Sequence, residues 1–266
     1  SAIIVSISNV VFSLFFGLFL GFGASGIGFA SSVAFFIASI YSVNVLKKQQ
    51  SDLKVSYEDV DKASMRRKFF SVGSYIVIRS LFLTLFFAYI RNRAALMSMD
   101  EIALQHILLQ LWSVGYIFVD AVAIAAQTLI AELISKNEKY QNSILQKELI
   151  SVTTIISLIL SIIPIMFLEI FIEMFSGNRF DLFVDFRLKV MVSISLFIGC
   201  FAFLWDGVLL GLDKSKEFSL LSILSATVGF LICSFLLMYQ NTIEILWVSI
   251  NVSLAVRAVL GYLYQK

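Results

Sequence analysis

The stretch from Glu101 to Ser135 constrains the fold most, because it is one long run of mostly apolar residues. Just before it, Ser98 and Glu101 have the S-x-x-E spacing that is typical of a capping box at the start of a helix. The run is longer than the roughly 20 residues that a helix needs to cross a bilayer. The stretch therefore predicts a membrane-spanning helix that extends beyond the bilayer at one end.

Polar side chains recur at every third or fourth position of this predicted helix, which places them on one face. They are His106, Gln110, Ser113, Tyr116, Asp120 and Gln127, with Ala123 in the same series. Asp120 lies deep in the apolar run, where a carboxylate costs about 2.5–3.5 kcal/mol to insert and usually faces a helix bundle or a water-filled cavity. The polar face can bind a ligand, or it can simply hold neighbouring helices together.

The composition extends this interpretation to the whole chain. The hydrophobic fraction is 59%, against about 45–50% in soluble domains, and the mean hydropathy is +0.93. The sequence predicts an all-α polytopic membrane protein with about eight transmembrane helices. We place them at about 3–20, 27–46, 69–90, 101–135, 149–174, 189–211, 218–239 and 245–264. A net charge of +2 gives no support for a nucleic-acid partner.

The loops between these spans differ in their content of Lys and Arg, which predicts the orientation in the membrane. Loops 47–68, 136–148 and 212–217 lie on the same side and are the richer in Lys and Arg. We therefore expect this side, and both ends of the chain, to be cytoplasmic. The polar stretch 47–68 is interpreted as a linker between 1–46 and 69–266, with a cytoplasmic amphipathic helix in part of it as the alternative.

No pattern typical of an enzyme or a metal site occurs in the sequence, so we expect neither catalysis nor a resident cofactor. Charged residues inside the spans are the remaining candidates. Arg79 and Asp120 lie at similar depths in adjacent antiparallel spans, which predicts an ion pair that is either a switch or a structural clamp. Asp206 is expected to reach interfacial water near the cytoplasmic end of its span. Arg257 is expected to extend to the membrane surface.

Several segments and single residues follow one another in a familiar order and spacing. The segments are Arg79–Leu83, Leu108–Trp112, Asp120–Ala131 and Asp206–Gly211, and the single residues are Asn9, Gly21, Gly23, Gly26, Gly28, Trp247 and Arg257. Together they resemble the multidrug and toxic compound extrusion (MATE) family, in particular its DNA-damage-inducible-protein-F-like branch. The resemblance covers essentially the whole chain and matches it to the fifth to twelfth spans of that family.

The resemblance implies two six-helix lobes about a central cleft. Residues 1–46 would be the last two helices of the N-terminal lobe and 69–266 a complete C-terminal lobe, with four further helices expected upstream. The family often has an Asp four residues after the position of Asn9, and this sequence has Ser13 there. A cation site in the N-terminal lobe that uses this Asp would be changed or lost.

The resemblance also implies a secondary active antiporter that exports amphipathic or cationic toxic compounds in exchange for H⁺ or Na⁺. The residues expected to line its coupling and substrate cavity are Asp120, Arg79, Asp206, Gln127, Tyr116, Gln110 and Asn9. We expect a monomer in the bacterial cytoplasmic membrane, with the lipid bilayer and a small amphipathic molecule as its partners. Two alternatives stay open, namely a flippase for lipid-linked saccharides and a truncated membrane scaffold that transports nothing.

Overall fold

The computed structural model describes residues 2–52, 61–136, 139–176 and 184–265, and within these ranges the secondary structure is entirely helical. The chain divides into two compact units, residues 1–65 and 66–266. The predicted all-α membrane fold is confirmed.

The first unit is a helical hairpin. Helix α1 (Ala2–Ser13) continues as a π-helix (Leu14–Phe19), and helix α2 covers Gly23–Asp52. The connection needs glycine, because Gly21 and Gly23 have φ angles of 70° and 56°, which are left-handed values that other residues rarely adopt. A Cβ atom on Gly26 would lie 2.6 Å from the carbonyl oxygen of Phe16, so the two arms of the hairpin meet backbone to backbone.

The remaining six helices of the described ranges form the second unit, except for the first residues of the helix that begins at Lys62. They are α3 (Lys62–Ala94), α4 (Met99–Ser135), α5 (Lys139–Ser176), α6 (Phe186–Gly211), α7 (Ser215–Leu236) and α8 (Ile243–Gln265). Helix α3 enters this unit from Arg66 onwards. In the described ranges, α2 to α8 are each long and apolar enough to cross a membrane, whereas the apolar stretch Ile3–Phe19 is shorter. The chain is an integral membrane protein.

The helix ends test two local predictions, the capping box at Ser98 and the linker at 47–68. The capping box is confirmed, because the Ser98 side chain accepts from the backbone N–H of Glu101 and the Glu101 carboxylate accepts from that of Ser98. The stretch 47–68 is less of a linker than we predicted, since α2 continues to Asp52 and α3 begins at Lys62. Residues 53–60 lie outside the described part of the chain.

Helix α6 is the centre of the second unit, where it packs against α4, α5 and α8. The contacts between α4 and α6 join Gly115 to Leu196 and Ile130 to Gly211, so the two helices run parallel. A Cβ atom on Gly207 would lie 2.2 Å from the carbonyl oxygen of Ala123, which is closer than real Cβ contacts come. Small residues therefore bring α6 directly against α4, as is usual between membrane helices.

Candidate functional site

Asp206 of α6 is buried inside the second unit, with only 5% of its surface exposed. Arg257 of α8, which is 3% exposed, binds it with two hydrogen bonds. Nε of Arg257 donates to Oδ1 of Asp206 at 3.1 Å, and Nη2 donates to Oδ2. A bidentate arginine–carboxylate pair of this kind combines strength with fixed geometry.

Arg79 of α3 binds the same carboxylate, at the oxygen that Nη2 of Arg257 also contacts. Its Nη2 donates to Oδ2 of Asp206 at 3.4 Å, and its Nε donates to the hydroxyl of Ser222 in α7 at 3.0 Å. Both guanidinium groups also lie over aromatic rings, Arg79 at 4.3 Å from the centre of Phe218 and Arg257 at 4.7 Å from that of Phe203. We call Asp206, Arg257, Arg79 and Ser222 the Asp206 cluster. It connects α3, α6, α7 and α8.

The predicted ion pair between Arg79 and Asp120 is wrong. Arg79 pairs with Asp206 instead, and none of the residues that the structure describes forms an ion pair with Asp120. Counting residues gave the depth of each group in the membrane but not the direction of its side chain. The hydrogen bond from Nε of Arg79 to Ser222 turns the guanidinium towards Asp206 on α6.

The expected positions of Asp206 and Arg257 are also wrong. Both lie within the protein rather than at the membrane surface, because α4, α5 and α8 surround α6. Arg257 does not extend to the interface, since Asp206 binds its charge and Phe203 covers its plane. Ser222 was not predicted as part of the site. The Gly207 that follows Asp206 was the available signal, because a small residue at that point indicates close helix packing around the carboxylate.

The polar face of α4 lies on the surface of the second unit. Its exposed members are His106, Gln110, Ser113, Asp120 and Gln127, while Tyr116 is half-buried. Ala123 is the exception, because it is buried against Gly207. The adjacent, apolar face of α4 provides the packing into the core, with Leu108, Val119, Ala126 and Ile130 among its buried residues. Apart from Tyr116 and Ala123, which contact α6, the polar face is therefore not used to join helices within this unit.

Tyr116 lies between this polar face and the Asp206 cluster. Its ring packs edge-on against Phe203 with 3.9 Å between the ring centres. Its hydroxyl is close enough to Arg257, Arg79 and Asp120 to interact with all three electrostatically. Tyr116 is thus the member of the polar face that lies nearest the buried cluster, and Asp120 follows it one helical turn further along α4.

Asn9 belongs to a separate polar group in the first unit. Its Nδ2 donates to the hydroxyl of Ser31 at 3.2 Å, and the hydroxyl of Ser13 donates to its Oδ1 at 3.0 Å. With Ser13 in place of an acid, this group carries no formal charge. In the described ranges, no set of three or more His, Cys, Asp or Glu side chains is arranged to hold a metal ion.

Known proteins share this architecture. No family model matches the chain. It is 23% identical to the chloroplastic protein DETOXIFICATION 44 of Arabidopsis thaliana over 244 residues. This aligned region covers 91% of this chain and 46% of that protein. Among solved structures, an outward-facing multidrug resistance MATE transporter of the MOP superfamily superimposes with a TM-score of 0.80 at 14% identity. A MATE in complex with MaL6 superimposes with a TM-score of 0.81, also at 14% identity.

These similarities cover nearly all of this chain but only part of each relative. Both superpositions include 99% of this chain and 60% of the solved protein. The chain thus spans about half the length of the curated relative and three-fifths of the solved ones. The predicted resemblance is confirmed at the level of the fold: the chain has the fold of the MATE transporters.

Proposed function

We propose that the chain belongs to a secondary active exporter of amphipathic or cationic compounds, in exchange for H⁺ or Na⁺, in which Asp120 binds the exchanging cations. The observation that carries this proposal is the contrast between two carboxylates. Asp120 is exposed on a polar helix face, about four turns from the nearer end of α4. Asp206 is buried and bound by two arginines.

Exchange requires a carboxylate that can take up and release a cation. At Asp206 a proton, Na⁺ or cationic substrate would have to displace Arg257 from a bidentate pair, which leaves a buried charge without a partner. At Asp120 no such pair has to break. Gln110, Tyr116 and Gln127 lie along the same face and offer hydrogen-bonding groups beside it. This division assigns transport to the α4 face and structural support to the Asp206 cluster.

The relatives support export as the direction of transport. One is a DETOXIFICATION protein and another a multidrug resistance transporter in an outward-facing conformation. An exporter that works by alternating access passes through such an outward-facing state when it releases its substrate. We propose the same cycle here, in a monomer in the bacterial cytoplasmic membrane with both ends of the chain in the cytoplasm.

The alternative of a lipid-linked saccharide flippase has less support. Such a protein needs available cations for a pyrophosphate, whereas Arg79 and Arg257 are both engaged with Asp206. A transport-inactive scaffold would have no use for an unpaired carboxylate in the membrane, where charge is expensive.

The test is gradient-driven efflux of ethidium from proteoliposomes that contain the protein at its natural length. Asp120→Asn should abolish efflux driven by an imposed pH or Na⁺ gradient, because it removes the ionisable group without changing shape. Asp100→Asn is the matched control, since it makes the same change at an exposed position in the first turn of the same helix. Full efflux by well-folded Asp120→Asn protein would refute the role of Asp120. Equal loss in both variants would do the same.

A further inference from the structure

Helices α3 and α7 leave an apolar groove between them. It is lined by Phe82, Leu85, Phe86, Ala226, Thr227 and Phe230, and its volume is about 380 Å³. Helix α3 buries Phe86, Ile90 and Ala94 near its C-terminal end, so the groove lies beside the part of α3 that packs against the unit. Both helices are long and apolar enough to span a membrane, and Leu85 is 58% exposed, so the groove opens to the outside of the second unit as the structure describes it.

The chemistry of the lining excludes a polar occupant. Thr227 brings the one hydroxyl of these six residues, and it already donates to the carbonyl oxygen of Ile223 at 2.8 Å. The other lining groups are aliphatic or aromatic carbon. An acyl chain is the membrane component that fills such a surface by van der Waals contact alone.

A cation lies beyond one end of the groove, along the line of contact between α3 and α7, which we call the seam. Tyr89 packs on Phe230, with 4.5 Å between ring centres, and shares a hydrogen bond of 3.0 Å with Ser234, which joins α3 to α7. One turn further along α3, the guanidinium of Arg93 lies 6.0 Å from the Tyr89 ring and is close enough to Cys233 of α7 to interact with it electrostatically. Arg93 therefore leans into the seam between the two helices.

Arg93 also lacks an acceptor. Its Nε is buried and has no hydrogen-bond partner, and an unsatisfied buried donor on a charged group is costly. Neighbouring Arg91, in contrast, is exposed. Arg93 as a whole is only half-buried, so a phosphate at this end of the seam could reach its terminal Nη groups and supply acceptors of the geometry that a guanidinium group binds best.

The spacing of the two features matches one molecule. From Phe86 in the groove to Arg93 is about 10 Å along the helix, at 1.5 Å per residue. A phospholipid with its phosphate at the membrane interface directs its chains inwards over this distance, and Phe230, which lines the groove, is 41% exposed. We propose that the seam between α3 and α7 is a binding site for an anionic phospholipid, with the phosphate at Arg93 and one acyl chain in the groove.

The experiment counts the lipids that the protein retains. Protein at its natural length is reconstituted in vesicles of equimolar phosphatidylcholine and phosphatidylglycerol, extracted in mild detergent and analysed by native mass spectrometry. Wild-type protein should retain phosphatidylglycerol in preference to phosphatidylcholine. Arg93→Gln should lower this retention about tenfold, because charge-assisted hydrogen bonds to the phosphate are lost. Arg91→Gln removes the same charge from the same end of α3 and should retain the lipid.

The groove is tested by filling it. Thr227→Trp should lower retention of phosphatidylglycerol as well, while Leu231→Trp, at a 59% exposed position of the same helix outside the groove lining, should not. Both positions are exposed, so either variant should fold. Equal losses in Arg93→Gln and Arg91→Gln would reduce the effect to general surface attraction and overturn the site. Unchanged retention in Thr227→Trp, or equal retention of both lipids by wild-type protein, would overturn it too.

Discussion

The substitution Asp206→Asn should destabilise the protein strongly, although it keeps the shape of the side chain. In the native cluster Arg79 and Arg257 share one carboxylate, so the formal charge is +1. Without the carboxylate it becomes +2, with Arg257 97% buried and no acid beside it. Removing one partner of a buried ion pair costs about 3–5 kcal/mol. We expect the midpoint of thermal unfolding to fall on the order of 10 °C.

The assay is thermal unfolding in detergent, followed by the fluorescence of buried Trp205 and Trp247 or by aggregation. Asp213→Asn is the control for the chemical change, because Asp213 forms its ion pair with Lys68 on the surface, where both side chains are about two-thirds exposed. An exposed pair contributes roughly 0–1 kcal/mol, so this variant should unfold near the wild-type temperature. Arg257→Met should be milder than Asp206→Asn, since Arg79 still neutralises the carboxylate.

The double variant Asp206→Asn with Arg257→Met decides between charge and packing. It restores the formal charge of the cluster to +1 and should unfold at a higher temperature than Asp206→Asn alone. An Asp206→Asn protein as stable as Asp213→Asn would refute the reasoning, because the buried carboxylate would then contribute no more than an exposed one. A double variant less stable than both single ones would show that packing, and not charge, dominates.

Two further predictions concern helix packing and orientation. Gly207→Ala should destabilise by about 1–3 kcal/mol because its Cβ would collide with the Ala123 carbonyl, whereas Gly73→Ala, whose Cβ would meet nothing within 4 Å, should be neutral or stabilising in the same unfolding assay. After replacement of Cys200 and Cys233, a cysteine at Ser64 should react with a membrane-impermeant maleimide only from the cytoplasm and one at Leu96 only from outside. The reverse labelling would contradict the orientation inferred from the Lys and Arg residues.

The sequence predicted the helices well because their signals are local. The length of each apolar run reflects the thickness of the bilayer, and the capping box at Ser98 and Glu101 marks the start of α4 through contacts within a few residues. The glycine-rich break after Phe19 is local as well, since Gly21 and Gly23 adopt positive φ angles. The ends of the stretch 47–68 were harder to predict, because charged residues continue a helix as readily as they interrupt one.

The partners within the site could not be predicted in the same way. An ion pair between helices depends on the rotation of each helix about its axis, which spacing along one helix does not give. Arg79 therefore seemed suited to Asp120 by depth alone, while its hydrogen bond to Ser222 turns it towards Asp206. The polar face of α4 was predicted as a face, but only packing reveals that it is the exposed one.

The proposed exchange has an electrostatic consequence that follows from the number of charges. Asp120 interacts electrostatically with Arg79, and Arg79 shares the carboxylate of Asp206 with Arg257. With Asp120 ionised, these four groups sum to zero. One bound cation raises the sum to +1, and a second would raise it to +2 in a medium of low dielectric constant, where like charges repel strongly. Under the proposed function, a coupling ion and a cationic substrate would therefore exclude each other at Asp120 even without touching. The fixed charge of the buried cluster is what makes this exclusion hold, because its arginines cannot neutralise themselves by releasing a proton.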